Sequence, residues 1–224
     1  MRNDYHLAVK LRKKGASYGK ISKELGIPKS TMHYWFKDLK WSNVIKKELT
    51  EKAVRVSRRR MRKIAKANKD RWAKWRANFR LMAVKEFPKL KNKQLFTSGI
   101  MLYWGEGDQN LKNEVRLTNT DSRIISLFYG FLKNICGINN EDIYIYLIIY
   151  PDLSDEKCKN FWSIKTGIAL NQFNKTQIIY GRHPTKRLEN GICTIRVRRS
   201  RWLKEKILVW VNMMSKELTK KMRV

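Results

Sequence analysis

Residues 95–108 read Leu-Phe-Thr-Ser-Gly-Ile-Met-Leu-Tyr-Trp-Gly-Glu-Gly-Asp, an apolar run that ends in an acid between two glycines. The run predicts a helix from about Asn92 to Glu106. The carboxylate of Glu106 would lie at the C-terminal end of that helix, where the helix dipole makes negative charge unfavourable. A divalent cation would offset this cost, because carboxylate oxygens are natural ligands of Mg²⁺. Glu106 is therefore the candidate metal ligand, with Mg²⁺ or Mn²⁺ as cofactor. A solvated helix-end residue is the simpler alternative, and Asp108 reads as a turn residue.

The sequence that follows alternates between helix and strand patterns. Helices are predicted to begin at caps at Asp121 or Ser122 and at Ser154, because these side chains accept hydrogen bonds from first-turn amides. A closing helix is predicted from Ser200. Strands are predicted near residues 114–118, 143–150, 176–180 and 192–198, with one hairpin at 181–191. This order indicates an α+β fold with helices packed on one face of an antiparallel or mixed sheet.

Two of these strands alternate apolar residues with polar or basic ones. The apolar members are Val115, Leu117, Cys193, Ile195 and Val197. Because successive side chains of a strand point to opposite faces, the other face carries Arg116, Thr118, Thr194, Arg196 and Arg198. We expect these five residues to contact DNA, since sheets that read DNA place their strands in a groove. A solvated polar face is the alternative.

The nine residues 99–107 resemble the signature helix of the LAGLIDADG homing endonuclease family. Glu106 takes the position of the family's metal-binding acid, and Gly107 that of its closing glycine. Residues 118–121, 161–163 and 192–198 occur in similar order in single-motif members, so the resemblance covers about residues 92–215. Where the family often has Ala-Gly, this chain has Ile100 and Met101, so close helix packing would rely on Gly99 and Gly105. The segment after Gly107 also leaves room for one clear strand where the family usually has two.

The resemblance implies a saddle-shaped sheet in the DNA major groove and a homodimer through the Gly99–Gly107 helix. It also implies metal-assisted phosphodiester hydrolysis with one Glu106 from each subunit. Basic residues near the site would neutralise the developing charge, and the candidates for this catalytic role are Arg196, Arg198 and Lys175.

Residues 4–40 predict three short helices. The apolar face of the first helix consists of Leu7, Ala8 and Leu11, and Gly15 ends it. Ser17 caps the second helix, residues 18–25, and Gly26 makes the next turn. The third helix begins near Pro28 or at a Ser30 cap and runs to about Leu39.

Residues 21–35 resemble the helix-turn-helix of resolvase-like and repressor DNA-binding domains. Ile21, Leu25 and Ile27 would pack the two helices together, with Met32 and Trp35 or Phe36 facing inward. The remaining side chains of the third helix are candidates for groove and phosphate contacts: Lys29, Ser30, Thr31, His33, Tyr34 and Lys37. A three-helix bundle that contacts another protein is the alternative.

Residues 43–87 contain 16 basic and 4 acidic residues and no glycine or proline, which predicts one long helix or two. Such a density of charge suits a DNA phosphate backbone, and Arg58, Arg59 and Arg62 are the candidate contacts. An apolar seam runs along the same segment through Met61, Ala65, Trp72, Trp75, Phe79 and Met82. We favour docking of this seam on the C-terminal domain over a dimeric coiled coil, because the repeat is short.

The composition sets the class of partner. The 224 residues include 50 Lys and Arg against 19 Asp and Glu, a formal net charge of +31. So large a positive charge argues against an ordinary metabolic enzyme with a small-molecule substrate. As the partner, it favours nucleic acid over an anionic membrane. No run approaches the roughly 20 apolar residues of a membrane span. We therefore expect a cytoplasmic, nucleoid-associated protein.

The sequence thus divides into a helix-turn-helix domain (residues 1–42), a basic helical linker (43–87) and a LAGLIDADG-like helix-on-sheet domain (88–224). The leading hypothesis is a site-specific endonuclease that acts on double-stranded DNA as a homodimer. One alternative is a transcription regulator that keeps the fold as a DNA platform without cleavage, as some sporulation regulators do with the opposite domain order. An RNA-splicing maturase is a third possibility.

Overall fold

The computed structural model describes residues 4–180 and 188–221. Within them the chain is α+β, with eight α-helices and one four-stranded sheet, and this confirms the predicted class. The chain forms two compact units, Met1–Trp72 and Ala73–Val224. The break falls inside the long helix α4, within the segment predicted as a linker.

The first unit contains α1 (Tyr5–Lys13), α2 (Tyr18–Leu25) and α3 (Lys29–Phe36). Ser17 caps α2 by accepting a hydrogen bond from the Lys20 amide at 3.2 Å, and Gly26 adopts the left-handed conformation that ends this helix. Pro28 rather than Ser30 precedes α3. The core of the unit is formed by Ala8, Ala16, Ile21, Ile27, Met32 and Phe36.

An arginine occupies part of this small core. Leu7 was predicted to face inward but is 54% exposed, whereas Arg12 is only 2% exposed. The Arg12 guanidinium donates to the carbonyls of Ala16 and Ser42, each at 2.9 Å, and to Ser42 Oγ at 3.2 Å. It also lies 4.6 Å from the centroid of the Tyr18 ring. The side chain therefore ties α1 to the turn that follows it and to the start of α4.

Helix α4 runs without interruption from Lys40 to Leu90, so the middle segment is one helix rather than two. All side chains from residue 51 to 74 are exposed. Near its C-terminal end the helix packs in the second unit, where Phe79 lies 5.9 Å from the Trp202 ring and Trp210 donates to the Ala83 carbonyl at 3.0 Å. This confirms the predicted docking for the part of the seam that includes Phe79. The Trp75 ring contacts the Phe79 ring edge to face, with centroids 4.9 Å apart.

The remaining helices of the second unit are α5 (Gln94–Glu106), α6 (Ser122–Asn134), α7 (Asp155–Thr166) and α8 (Arg201–Lys221). The strands are β1 (Arg116–Asn119), β2 (Ile143–Ile149), β3 (Gln177–Ile178) and β4 (Ile192–Val197). The helices cover one face of the sheet, and the core between them includes Phe96, Phe128, Phe131, Ile145, Ile195 and Trp210.

The sheet has the strand order β1-β4-β2-β3. Strand β4 is antiparallel to both β1 and β2, whereas β3 is parallel to β2. The predicted hairpin between β3 and β4 is wrong, because β2 lies between these two strands. His183 and Pro184, which the sequence places in that loop, lie outside the described residues.

Candidate metal site and nucleic-acid interface

The end of α5 is held against the edge strand β1. The Gly107 amide donates to the Tyr103 carbonyl at 2.9 Å, and the Asp108 amide donates to the Arg116 carbonyl at 3.0 Å. A Cβ at Gly107 would come within 2.4 Å of the Tyr103 carbonyl oxygen, so only glycine fits this close approach. Glu106 is the last residue of the helix, and its side chain is exposed. Its carboxylate makes no hydrogen bond or ion pair with any residue that the structure describes.

Asp108, two residues further on, is fully engaged. Its Oδ2 contacts Arg116 Nε at 2.6 Å and accepts from Asn113 Nδ2 at 2.7 Å, and its Oδ1 accepts from the Asn110 amide at 2.8 Å. Burial works to raise the pKa of Asp108, but the hydrogen bonds and the nearby Lys204 and Arg116 outweigh it and lower the pKa. Asp108 therefore organises the loop after α5, in agreement with its interpretation as a turn residue.

A lysine of α8 lies beneath the same loop. Lys204 is fully buried, and its Nζ donates to the Asn110 carbonyl at 3.0 Å and lies 3.8 Å from Asp108 Oδ1. Burial lowers the pKa of Lys204 to about 8, although Asp108 acts in the opposite direction. Sequence reasoning missed this residue, because a lysine in a helix rich in charge reads as a solvated side chain.

The sheet face opposite the helices presents arginines and tyrosines. In register across β1, β4 and β2, Arg116 lies beside Arg196, which lies beside Tyr144. The guanidinium of Arg196 lies 4.6 Å from the centroid of the Tyr146 ring, and that of Arg198 lies 5.2 Å from the Tyr144 ring.

The two tyrosines were missed as site residues, although the alternation of Ile143-Tyr-Ile-Tyr-Leu147 places both on the polar face. Tyr144 donates from its hydroxyl to Glu114 Oε2 at 2.8 Å. Burial and this carboxylate raise the pKa of Tyr144 to about 12.

Thr194 differs from its expected environment. It lies on the polar face, but it is only 5% exposed, and its hydroxyl is hydrogen-bonded to that of Thr118 at 2.9 Å. Thr194 is thus buried rather than open to solvent, and its predicted contact with DNA stays a prediction. Thr118 itself is exposed.

Lys175 lies at the other edge of the sheet. It is exposed and precedes β3, whereas Glu106 adjoins β1. Three interstrand spacings of roughly 4.8 Å separate these edges by about 14 Å. Within one chain, the structure thus brings Arg116 and Arg196, but not Lys175, to the side of the sheet where α5 ends.

The outer face of α3 is polar and accessible. Five of its candidates, Lys29, Ser30, His33, Tyr34 and Lys37, are exposed, and Thr31 is half-buried. Their spacing places Lys29, His33 and Lys37 on successive turns of one helix face. Arg58, Arg59 and Arg62 are also exposed, on α4.

Comparison with known proteins gave no significant match: no family model, no curated protein and no solved structure is similar to this chain. Across residues 4–180 and 188–221, no group of three or more His, Cys, Asp or Glu side chains could hold a metal ion. The same residues include no helix with the length and apolar character needed to cross a membrane.

Proposed function

We propose that this chain is a LAGLIDADG-like, site-specific DNA endonuclease that hydrolyses phosphodiester bonds with a divalent metal as a homodimer. The observation that carries the proposal is the unpaired, exposed carboxylate of Glu106 at the end of α5. The next residue, Gly107, forms an isolated β-bridge with Leu117 of β1, the strand that begins at Arg116. An acid without a partner at the negative end of a helix is unfavourable for stability, so a role in binding a cation explains its presence.

The donor set fits a magnesium site that is completed by a second copy and by the substrate. At the end of α5, the described part of the chain contributes one free carboxylate, that of Glu106, because both oxygens of Asp108 are occupied. Mg²⁺ in proteins is commonly held by one or two carboxylates together with substrate phosphates. Glu106 of each subunit would hold the ion, which when bound activates water and stabilises the departing oxygen.

The residues of the chain itself supply binding and charge neutralisation. Arg196 and Arg198 extend from the sheet face, where they would contact phosphates near the scissile bond. The exposed face of α3 would read base edges from the major groove, and the arginines of α4 would follow the phosphate backbone.

Dimerisation would use the exposed face of α5. Trp104 is 45% exposed, Gly105 has no other side chain within 4 Å of an added Cβ, and Met101 is partly exposed. Gly99 is not part of this face, because it packs against Phe131 of the same chain. A second copy of α5 could therefore approach closely at Gly105.

A transcription regulator without nuclease activity is the second candidate. It is favoured by the presence of only one free carboxylate among the described residues at the end of α5, and by the lack of a three-ligand cluster among the described side chains. An RNA-splicing maturase is a third possibility, which preference for folded RNA over duplex DNA would identify.

The test is incubation of wild-type protein and Glu106→Gln with a randomised duplex DNA library, in Mg²⁺ and in EDTA, followed by sequencing of the bound and cleaved pools. Mg²⁺-dependent ends at one recurrent sequence, absent with Glu106→Gln, support the endonuclease. A recurrent bound sequence that both proteins leave intact would refute it and support the regulator.

A further inference from the structure

One face of the sheet has an unusual arrangement of hydrogen-bond donors. We call it the tyrosine-arginine face, and it carries Tyr144, Tyr146, Ile148, Ile192, Arg196 and Arg198. Neither Arg196 nor Arg198 makes an ion pair or hydrogen bond through its guanidinium to any residue in 4–180 or 188–221. Both are held by the plane of a tyrosine ring, at 4.6 Å and 5.2 Å. A guanidinium that lies over a ring keeps N–H donors free at its rim. Arg196 Nε is itself buried without a partner, so the donors that Arg196 offers to a ligand are its two terminal nitrogens.

The tyrosines beneath this pair are anchored by a hydrogen bond and by contact with each other. Tyr144 is anchored through its hydroxyl to Glu114, whose other oxygen accepts from the Arg199 amide at 2.8 Å. The rings of Tyr144 and Tyr146 contact each other edge to face, with centroids 5.5 Å apart. The two arginine side chains therefore lie on anchored tyrosine rings. This reduces the conformational entropy that the arginines lose when a ligand binds.

The other half of the same face is apolar. Ile148 and Ile192 are opposite each other in register, and both are only partly covered. Ile179, which hydrogen-bonds to Ile149 just beyond β3, is 40% exposed. One side of the face therefore offers unused cationic donors, and the other offers aromatic and aliphatic surface.

This combination indicates the chemistry of the partner. The guanidinium groups match phosphates, and stacked rings, guanidinium planes and apolar side chains match the faces of nucleic-acid bases. In an intact duplex the base faces are stacked on one another, and only their edges are accessible in the grooves. An aromatic and apolar surface can therefore contact the faces of the bases only when the bases are unpaired.

We infer that the tyrosine-arginine face binds a single-stranded segment of nucleic acid, with its phosphates on Arg196 and Arg198 and its bases on Tyr146, Ile148 and Ile192. The inference rests on the proposed function, in that both place nucleic acid on this sheet. It goes further by assigning to the sheet a locally unpaired strand of the substrate next to the scissile bond, with the flanking duplex on α3 and α4.

The test measures binding of the full-length chain, in EDTA and at constant ionic strength, to fluorescein-labelled 12-nucleotide probes by fluorescence anisotropy. The probes are a mixed-sequence single-stranded DNA, an abasic strand of the same length, the RNA counterpart and a blunt duplex. The abasic strand keeps the phosphates and removes the bases, so the ratio of the two single-strand affinities isolates base stacking.

We expect the base-containing strand to bind at least about fivefold more tightly than the abasic strand, from the usual contribution of one stacked base. Tyr146→Leu should abolish this ratio, and Tyr146→Phe, which keeps the ring, should preserve it. Tyr34→Leu on α3 should weaken binding to the duplex probe. It should leave the ratio of the two single-strand affinities unchanged. Thermal melting of each variant checks folding, and if Tyr146→Leu is unfolded, Ile148→Thr serves in its place.

Equal affinity of wild-type protein for both single strands overturns the inference, as does a ratio that Tyr146→Leu does not change. Tighter binding of the DNA or of the RNA strand shows which of the two nucleic acids the face prefers. Both results support the inference. These measurements exclude metal and leave Glu106 intact. The single-strand inference can therefore be overturned while Mg²⁺-dependent cleavage of a duplex is observed, and it can be supported while no cleavage is observed.

Discussion

Gly99 of α5 lies against the ring of Phe131 in α6, so closely that a Cβ at position 99 would come within 2.2 Å of Phe131 Cγ. Both residues are fully buried. The glycine is therefore needed for packing inside one chain, whereas Gly105, six residues further along the helix, has nothing within 4 Å of an added Cβ.

These two glycines form a matched pair for mutation. Gly99→Ala should lower the free energy of unfolding by about 1–3 kcal/mol, because the added methyl group overpacks the core. Gly105→Ala should raise it by up to about 1 kcal/mol, because alanine is the better helix former. Chemical denaturation measures both effects. Sedimentation of Gly105→Ala tests the proposed dimer, which should weaken; an unchanged association constant would contradict an interface at Gly105.

Glu106→Gln should separate stability from activity. Removing negative charge from the C-terminal end of α5 should raise the free energy of unfolding by a few tenths of a kcal/mol, while metal-dependent cleavage is lost. Glu156→Gln, in the first turn of α7, is the control, since there the dipole favours the charge and the same substitution should lower stability. Equal effects of the two substitutions in urea denaturation would show that the dipole does not act on Glu106.

Lys204 should make stability depend on pH. Its pKa is about 8 in the folded protein and about 10.4 in an unfolded chain. Between these values the unfolded chain holds a proton that the folded protein has released, so the free energy of unfolding should rise with pH across this window. Below about pH 8 the lysine is charged in both states, and the cost of burying the charge is fully present.

The measurement is urea unfolding at pH 7 and pH 9.5 for wild-type protein, Lys204→Met and the control Lys165→Met on the surface of α7. Asp108, Arg116 and Glu114 all influence Lys204, but they are common to all three proteins. Wild-type protein and Lys165→Met should gain stability relative to Lys204→Met as the pH rises. Parallel behaviour of all three would contradict the burial of a charged Lys204.

The exposed face of α3 should control binding to duplex DNA. Lys29→Gln and Lys37→Gln should each weaken binding, and each should reduce by about one the slope of log affinity against log salt concentration, because one phosphate contact is lost. Lys165→Gln makes the same change of charge in the other unit and should leave the slope almost unchanged. Titrations at several salt concentrations provide the slopes, and identical slopes for all variants would exclude α3 from the interface.

Arg12 should be essential to the first unit. Arg12→Met should destabilise it by at least about 2 kcal/mol, because the buried carbonyls of Ala16 and Ser42 lose their donor. Arg12→Lys should not rescue stability, since one ammonium cannot reproduce the planar fork that reaches several acceptors. Hydrogen exchange of the amides in α1 to α3 measures this unit separately. Full protection in Arg12→Lys would show that only the positive charge matters.

Local signals were sufficient to predict most of the secondary structure. The predicted caps at Ser17, Asp121 and Ser154 accept hydrogen bonds from the amides of Lys20, Arg123 and Lys157. The core of the three-helix unit also follows from spacing, and Ile21, Ile27, Met32 and Phe36 are buried as predicted. Such signals succeed because they depend on residues only a few positions apart.

Part of the candidate site was also accessible from the sequence. Residues Gly105 to Gly107 identify the end of α5 and the acid between the glycines, and strand alternation places Arg116 and Arg196 on one face. The DNA-binding and catalytic roles of these residues stay predictions. Alternation did not reveal the burial of Thr194, because that depends on the side chains of neighbouring strands.

The sequence by itself determined the α+β class, the positions of the helices, the basic character of the surface and the isolated acid at position 106. Only the tertiary structure decided that β2 separates β3 from β4, that Gly99 packs against Phe131, and that Arg12 and Lys204 are buried. Lys204, for example, donates to Asn110, which is 94 positions away. A contact of that kind is selected by the packing of the whole unit, because a buried charge is stable only where distant backbone and side chains provide its partners.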